Sequence, residues 1–150
     1  MKHHRTVLAC LALVIALPAS AQFRKPEDAI KYRKSVMYTM GNHFYARIGG
    51  MANARIPFDA KAAVEHADLV AVLAKQPWIA FAPGTEKGET DAKPAIWTEQ
   101  AKFKDLSEKM QIETTKLAAA ARTGDLEALK VAYRSTGNSC KACHDAYTSQ

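Results

Sequence analysis

The sequence predicts an all-α protein whose folded part is an antiparallel four-helix bundle, and three observations lead to this prediction. Apolar side chains recur at spacings of three and four along four stretches of the chain. Glycine and proline interrupt the chain between these stretches. No stretch shows the strict apolar–polar alternation that indicates a half-buried strand. Four helices joined by short to moderate connections are typical of such a bundle.

The N-terminal 21 residues are typical of a secretory signal peptide. Lys2 and Arg5 precede an apolar run over residues 7–17, and the small residues Ala-Ser-Ala come directly before Gln22. This run is well short of the ~20 apolar residues that a membrane-spanning helix needs. We therefore predict that residues 1–21 are removed on export.

The remaining chain, residues 22–150, has the length of one domain. Cys10 resembles a lipoprotein processing site, but the apolar run continues beyond it, so we predict no stable membrane anchor. Cys140 and Cys143 are then the remaining cysteines, in an exported and oxidising environment. The domain carries 19 basic and 15 acidic residues, a net charge of +4. This charge is spread without a basic run, which excludes a nucleic-acid footprint and at most favours an acidic redox partner.

The first predicted helix begins at Pro26, a residue that suits a first helical turn, and ends at Gly49 and Gly50. Gly41 lies inside it and costs ~1 kcal/mol relative to alanine. A second helix is predicted over residues 58–76, with Asp59 as its N-cap. The apolar face of the first helix consists of Ile30, Arg33, Met37, Met40 and Phe44.

Residues 77–94 contain three prolines and two glycines, which predicts a long loop. The third helix follows and stops at Thr123 and Gly124, and Asp125 caps the fourth. The predicted core positions of the third helix are Trp97, Ala101, Leu106, Met110 and Leu117. On the fourth helix, the inward positions leading to the cysteine pair are Leu126, Leu129, Tyr133 and Thr136.

Cys140, Cys143 and His144 form a Cys-x-x-Cys-His motif on the predicted fourth helix. A spacing of three puts both sulfurs on one helix face, with the imidazole beside them. This motif is the attachment signature of c-type haem, in which two thioethers hold the cofactor and the histidine is an axial ligand of the iron. Export supports the interpretation independently, because attachment takes place after export.

Two other kinds of site, a zinc site and a redox-active dithiol, also use clustered cysteines. A zinc site usually needs four ligands, and His43 and His66 are each isolated in a helical pattern typical of surface or core histidines. A redox-active dithiol belongs at the start of a helix after a strand, whereas this pair lies near the end of the last helix. The motif therefore favours haem c, one per chain, bound through Cys140 and Cys143.

Four further stretches are informative: QFRKPEDAIKYRKS, PWIAFAPGTEKG, KPAIW and CKACHDAY. Together they resemble the cytochrome c′ family, the class II c-type cytochromes. The resemblance implies a periplasmic four-helix bundle, usually a homodimer, with electron transfer to or from a redox partner protein. It also implies high-spin, five-coordinate iron that binds nitric oxide and carbon monoxide. No acid–base pair or nucleophile arrangement accompanies the motif, so we do not expect a conventional enzyme.

The resemblance also assigns site residues. Cys140 and Cys143 take the thioether positions, and His144 takes the proximal position on the iron. Arg33 matches an arginine that approaches a haem propionate, and Lys34 stands where many relatives have glutamine and could reach the haem edge. Asp91 matches a loop residue close to the haem. The alternative for Arg33 and Lys34 is a solvated helix surface.

Two positions leave the chemistry of the iron open. Thr148 replaces the basic residue that relatives commonly carry next to the proximal histidine. Met37 matches the distal position, and we expect it to be an apolar lid over an open iron rather than a ligand. The alternatives are a low-spin electron carrier with Met37 or Met40 as sixth ligand, and a gas-binding or nitric-oxide-scavenging protein.

The homodimer is expected to form through the first two helices. Besides its core face, the first helix carries Tyr38, Phe44, Tyr45 and Ile48, which is more apolar surface than one face readily hides. Large exposed apolar patches usually mark contact sites.

Overall fold

The computed structural model describes residues 22–149, so the predicted signal peptide and Cys10 lie outside the described residues. Four long helical stretches form the bundle, and no strand occurs within the described range, which confirms the predicted all-α fold. The elements are α1 (Pro26–Gly41), a π-helical segment (Asn42–Ile48), α2 (Gly49–Ala52), α3 (Ala60–Leu73), a 3-10 turn (Pro77–Ala80), α4 (Ala95–Thr98), α5 (Gln100–Arg122) and α6 (Leu126–Tyr147).

Two helix starts have the predicted side-chain caps. The carboxylate of Asp59 accepts a hydrogen bond from the Ala62 amide at 3.0 Å, at the first turn of α3. The carboxylate of Asp125 accepts one from the Glu127 amide at 2.8 Å, at the first turn of α6. Each cap satisfies one of the amides that a helix N-terminus leaves without an intrahelical partner.

The first helical stretch differs from the prediction in two respects. It continues through Gly49 to Ala52 instead of ending at the glycines, and it contains the π-helical segment. Glycine is needed at position 49 because of close packing between helices, not because the chain turns there. A Cβ atom at Gly49 would lie 2.6 Å from the hydroxyl oxygen of Tyr133 on α6. The glycine therefore lets α2 and α6 approach each other closely.

The third predicted helix is divided at Glu99, whose φ of −111° and ψ of 41° interrupt the helical geometry. The break changes the helical phase between α4 and α5. Ala101 is exposed, and its prediction as a core residue was wrong, because it lies nine residues before the buried Met110 and thus on the opposite side of α5. The buried face of α5 consists instead of Ser107, Met110, Thr114, Leu117, Ala118 and Ala121.

The core runs along the middle of the bundle, where α5 packs against both α3 and α6 and the π-helical segment packs against α3. The largest apolar side chains that are fully buried include Ile48, Val70, Leu117 and Leu129. Within residues 22–149, no helix combines the length and the hydropathy needed to cross a membrane.

We expect Leu117→Ala to lower the free energy of unfolding by about 3 kcal/mol, because it leaves a cavity at a fully buried position of α5. Ile112→Ala on the same helix is the matched control, since that side chain is 54% exposed. The control should change stability by no more than about 0.5 kcal/mol. Equilibrium unfolding in urea, followed by far-UV circular dichroism, measures both, and equal effects would contradict the assignment of the core.

Candidate functional site

One cavity of about 200 Å³ lies between α1, the loop that follows α3, α5 and α6. Residues that the sequence assigned to a haem site line it together, namely Arg33, Lys34, Met37, Met40, Asp91, Cys140, Cys143, His144 and Thr148. A smaller cavity of about 70 Å³ shares Met37, Met40, Cys140 and His144 with it. Residues that are more than 100 positions apart in the chain thus meet at one place.

Helix α6 places the two cysteines and the histidine on one wall of this cavity. Because α6 is unbroken from Leu126 to Tyr147, the spacing of three keeps both sulfurs on one side. Cys140 and Cys143 are half-buried free thiols, whereas His144 is exposed. Two thiols and an imidazole beside a largely apolar space are the donor set that haem c requires. The residues therefore fit this group.

The protonation of the thiols argues against a dithiol redox site. Burial raises the pKa of the Cys143 thiol to about 11, and the neighbouring Cys140 adds to the effect. Burial also raises the pKa of Cys140. Redox-active cysteines instead have lowered pKa values, which keep the reactive thiolate available. Within residues 22–149, no group of three or more histidine, cysteine, aspartate or glutamate side chains is placed to hold a metal ion.

Arg33 is buried, with only 2% of its surface exposed, and its guanidinium holds the long loop. Its Nη1 donates to the carbonyl of Ala80 at 2.9 Å and to the hydroxyl of Thr85 at 3.0 Å. Its Nη2 donates to the carbonyl of Thr85 and to the hydroxyl of Thr90, both at 2.9 Å. The alternative of a solvated helix surface was therefore wrong for this residue.

Two aromatic rings complete the surroundings of Arg33. Its guanidinium carbon lies 4.5 Å from the ring centre of Phe81 and 5.5 Å from that of Trp97, within cation–π range. Burial lowers the pKa of Arg33, and the charge of Glu86 partly offsets this effect. The structure thus shows Arg33 as the anchor of the loop, while its contact with a haem propionate stays a prediction.

Lys34 and Asp91 are exposed and lie at the rim of the cavity. The ammonium of Lys34 donates to the carbonyl of Glu89 at 3.0 Å. The backbone carbonyl of Asp91 accepts a hydrogen bond from the Ser149 amide at 2.7 Å. Both residues stand where the edge of a haem could be reached, and their contact with it stays a prediction.

The C-terminal end of α6 is tied to the loop by a single antiparallel bridge between Ala92 and Thr148. The Lys93 amide donates to the Tyr147 carbonyl at 2.9 Å, and the Lys93 ammonium donates to the Asp145 carbonyl at 3.3 Å. A basic side chain therefore reaches this end of α6 from the loop, although Thr148 itself is not basic. This role of Lys93 was not predicted from the sequence.

Three further polar residues of the site were missed from the sequence. Tyr147 lines the cavity, and its hydroxyl donates to a carboxylate oxygen of Glu99 at 2.9 Å. Burial and this hydrogen bond raise the pKa of Tyr147 to about 12. Its position three residues after His144, on the same helix face, was a usable signal. Thr85 and Thr90 had no such signal, because more than 50 residues separate them from Arg33.

Comparisons with known proteins agree with this geometry. The family model described as Cytochrome C′ matches residues 28–148. Cytochrome c′ of Rubrivivax gelatinosus is 48% identical over 84% of this chain and 98% of its own length. Its crystal structure matches 85% of this chain with a TM-score of 0.81. A nitric oxide complex of a mutant cytochrome c prime from Alcaligenes xylosoxidans is 43% identical and covers 86% of this chain and 99% of its own, with a TM-score of 0.81.

We expect Arg33→Gln to lower the free energy of unfolding by about 3 kcal/mol, because buried loop carbonyls lose charged donors. Lys34→Gln is the matched control on the same helix, since it removes one exposed contact and should cost no more than about 0.5 kcal/mol. Urea unfolding measures stability, and hydrogen exchange at the Thr85 amide measures the loop. Unchanged exchange at Thr85 in Arg33→Gln would contradict the anchoring role.

Proposed function

The chain belongs to the cytochrome c′ family, and from this premise we propose that it carries electrons in the periplasm and that its iron stays open to small neutral gases. It is a c-type haem protein that binds nitric oxide, with one haem c attached covalently through Cys140 and Cys143. When bound, the haem supplies the iron that changes oxidation state and binds the gas. The observation that carries the proposal is the meeting of Cys140, Cys143 and His144 on one wall of an apolar cavity.

The two helical walls of the cavity contribute different side chains to the site. On α6, the two thiols would hold the cofactor through thioether bonds, and the imidazole of His144 would bind its iron. On α1, Met37 and Met40 bring thioether side chains to the same cavity. An apolar wall of this kind favours small neutral ligands such as nitric oxide and carbon monoxide over polar ligands, which would need a hydrogen-bond partner. We infer that Met37 acts as a lid rather than as a ligand.

Electron transfer and a periplasmic location rest on other features. The N-terminal pattern of a signal peptide supports export, and the excess of basic residues supports transient docking of an acidic partner protein. We propose no separate enzymatic activity, because Arg33 and Tyr147, two polar groups at the cavity, are engaged with the loop and with Glu99.

Nitric oxide scavenging is a second candidate function, favoured by the nitric oxide complex of the relative. A low-spin carrier with histidine and methionine ligands is a third, since Met37 and Met40 both reach the cavity. Sensitivity of a deletion strain to nitric oxide would favour scavenging. Reduction of the protein by a partner during respiration would favour electron transfer.

We expect acid–acetone extraction of the exported protein to leave the haem on the polypeptide, because thioether bonds survive this treatment. Replacing both cysteines, Cys140→Ala with Cys143→Ala, should release it, and Lys141→Ala between them is the matched control. A colourless precipitate from the wild type would refute covalent attachment.

The oxidised protein should lack the sulfur-to-iron charge-transfer band of a methionine ligand and should bind nitric oxide after reduction. A methionine-ligand band in the optical spectrum would refute the open iron.

We propose in addition that the protein forms a homodimer through α1 and α3. Tyr38 of α1 is 77% exposed, and Leu69 and Val72 of α3 are exposed as well, so these two helices present apolar surface to solvent. Tyr45, in the π-helical segment that follows α1, is also exposed. Phe44 and Ile48, which the sequence assigned to the same surface, are buried in the core instead. The prediction that Phe44 and Ile48 contribute to the exposed contact surface was therefore wrong.

Sedimentation equilibrium at micromolar concentration tests the dimer. We expect Val72→Asp to weaken association at least tenfold, because it places a charge on the proposed interface. Val131→Asp on α6 is the matched control, since both valines are 57% exposed and only Val72 lies on α3. A wild type that sediments only as monomer, or equal effects of the two substitutions, would contradict the proposed interface.

A further inference from the structure

Two histidines that the sequence suggested were isolated lie side by side in the structure. His43 belongs to the π-helical segment and His66 to α3, and their Nδ1 atoms are 3.0 Å apart. The ring centres are 5.0 Å apart, with an angle of 50° between the ring planes. Both side chains are half-buried and thus reachable from solvent. Neither residue lines either of the two cavities that His144 and Cys140 share.

We propose that His43 and His66 form a two-imidazole chelate for a divalent transition-metal ion, and that Cu²⁺ is the ion whose geometry they match best. With a metal–nitrogen bond of about 2.05 Å, the 3.0 Å separation corresponds to an angle of about 94° at the metal. This is close to the right angle between neighbouring ligands in the tetragonal coordination of Cu²⁺. Imidazole suits Cu²⁺, which also binds such ligands most strongly in its series.

The pair can bind a metal ion only through unprotonated Nδ1 atoms. In the present hydrogen bond one ring carries its proton on Nδ1, and chelation moves that proton to Nε2 of the same ring through solvent, with no net change in charge of the ring. Burial lowers the pKa of His66, as do the nearby His43 and Arg47, while Glu65 has the opposite effect. These neighbours belong to the π-helical segment and to α3, the two elements that carry the pair.

The backbone at His43 is a second, independent observation. Residues 42–48 are π-helical within an otherwise α-helical stretch. Such segments are rare, and they occur frequently at functional sites, because they change the direction of the side chains that they carry. No third ligand joins the pair within residues 22–149, so water fills the remaining positions on the metal. The site should therefore bind more weakly than a complete protein cage.

In the mature holoprotein, His43 and His66 are the two histidines left to bind an added metal ion. The sequence has five histidines, of which His3 and His4 fall in the predicted signal peptide and His144 is engaged by the haem. Titration of the oxidised protein with copper sulfate at pH 7.5 should show one Cu²⁺ per chain, and electron paramagnetic resonance should show two imidazole nitrogens on it. His43→Gln and His66→Gln should each lower the affinity at least tenfold, whereas the control Asn42→Gln in the same segment should not.

Two further measurements complete the test: the pH dependence of Cu²⁺ affinity and a titration of the Val72→Asp variant. Affinity should fall as the pH is lowered, because protons compete with the metal ion for both nitrogens. The titration should give the same affinity in the Val72→Asp variant, since the chelate lies within one chain. An unchanged optical spectrum of the haem shows that each variant is folded. Equal Cu²⁺ binding in wild type and the histidine variants, a signal from one imidazole only, or binding lost in Val72→Asp would overturn the proposal.

Discussion

The burial of the Arg33 guanidinium is the interaction on which the site depends. A buried charge is costly unless its donors are satisfied, and here four hydrogen bonds from two nitrogens end on the loop between α3 and α4. The same loop carries Asp91 and the bridge to the end of α6. One side chain on α1 thereby fixes the irregular part of the cavity wall relative to the helices.

The two kinds of wall have different physical origins. The α6 wall is set by local geometry, because an unbroken helix fixes the relative positions of Cys140, Cys143 and His144. The loop wall is set by long-range hydrogen bonds and by aromatic packing around Phe81. Since loops depend on such contacts for their order, the helical wall is the one suited to hold the cofactor.

What could be predicted from the sequence was governed by local rules. The helix caps at Asp59 and Asp125 and the spacing of the cysteine motif follow from neighbouring residues, and all were found where expected. The break at Glu99, the partners of Arg33 and the meeting of His43 with His66 are set by tertiary packing. Helical periodicity alone does not predict such features, which is why the break was missed and the histidines were interpreted as isolated.

The placement of the two tryptophans has an optical consequence. Trp78 lines the cavity, and Trp97 lies against Arg33 and the ring of Phe81. They are the only tryptophans in the chain, and both belong to the region that Arg33 organises. A haem held in the cavity would take up their excitation energy, so their emission would be quenched while the loop is in place. The intrinsic fluorescence of this protein would then report on the distance between loop and cofactor, with no added label.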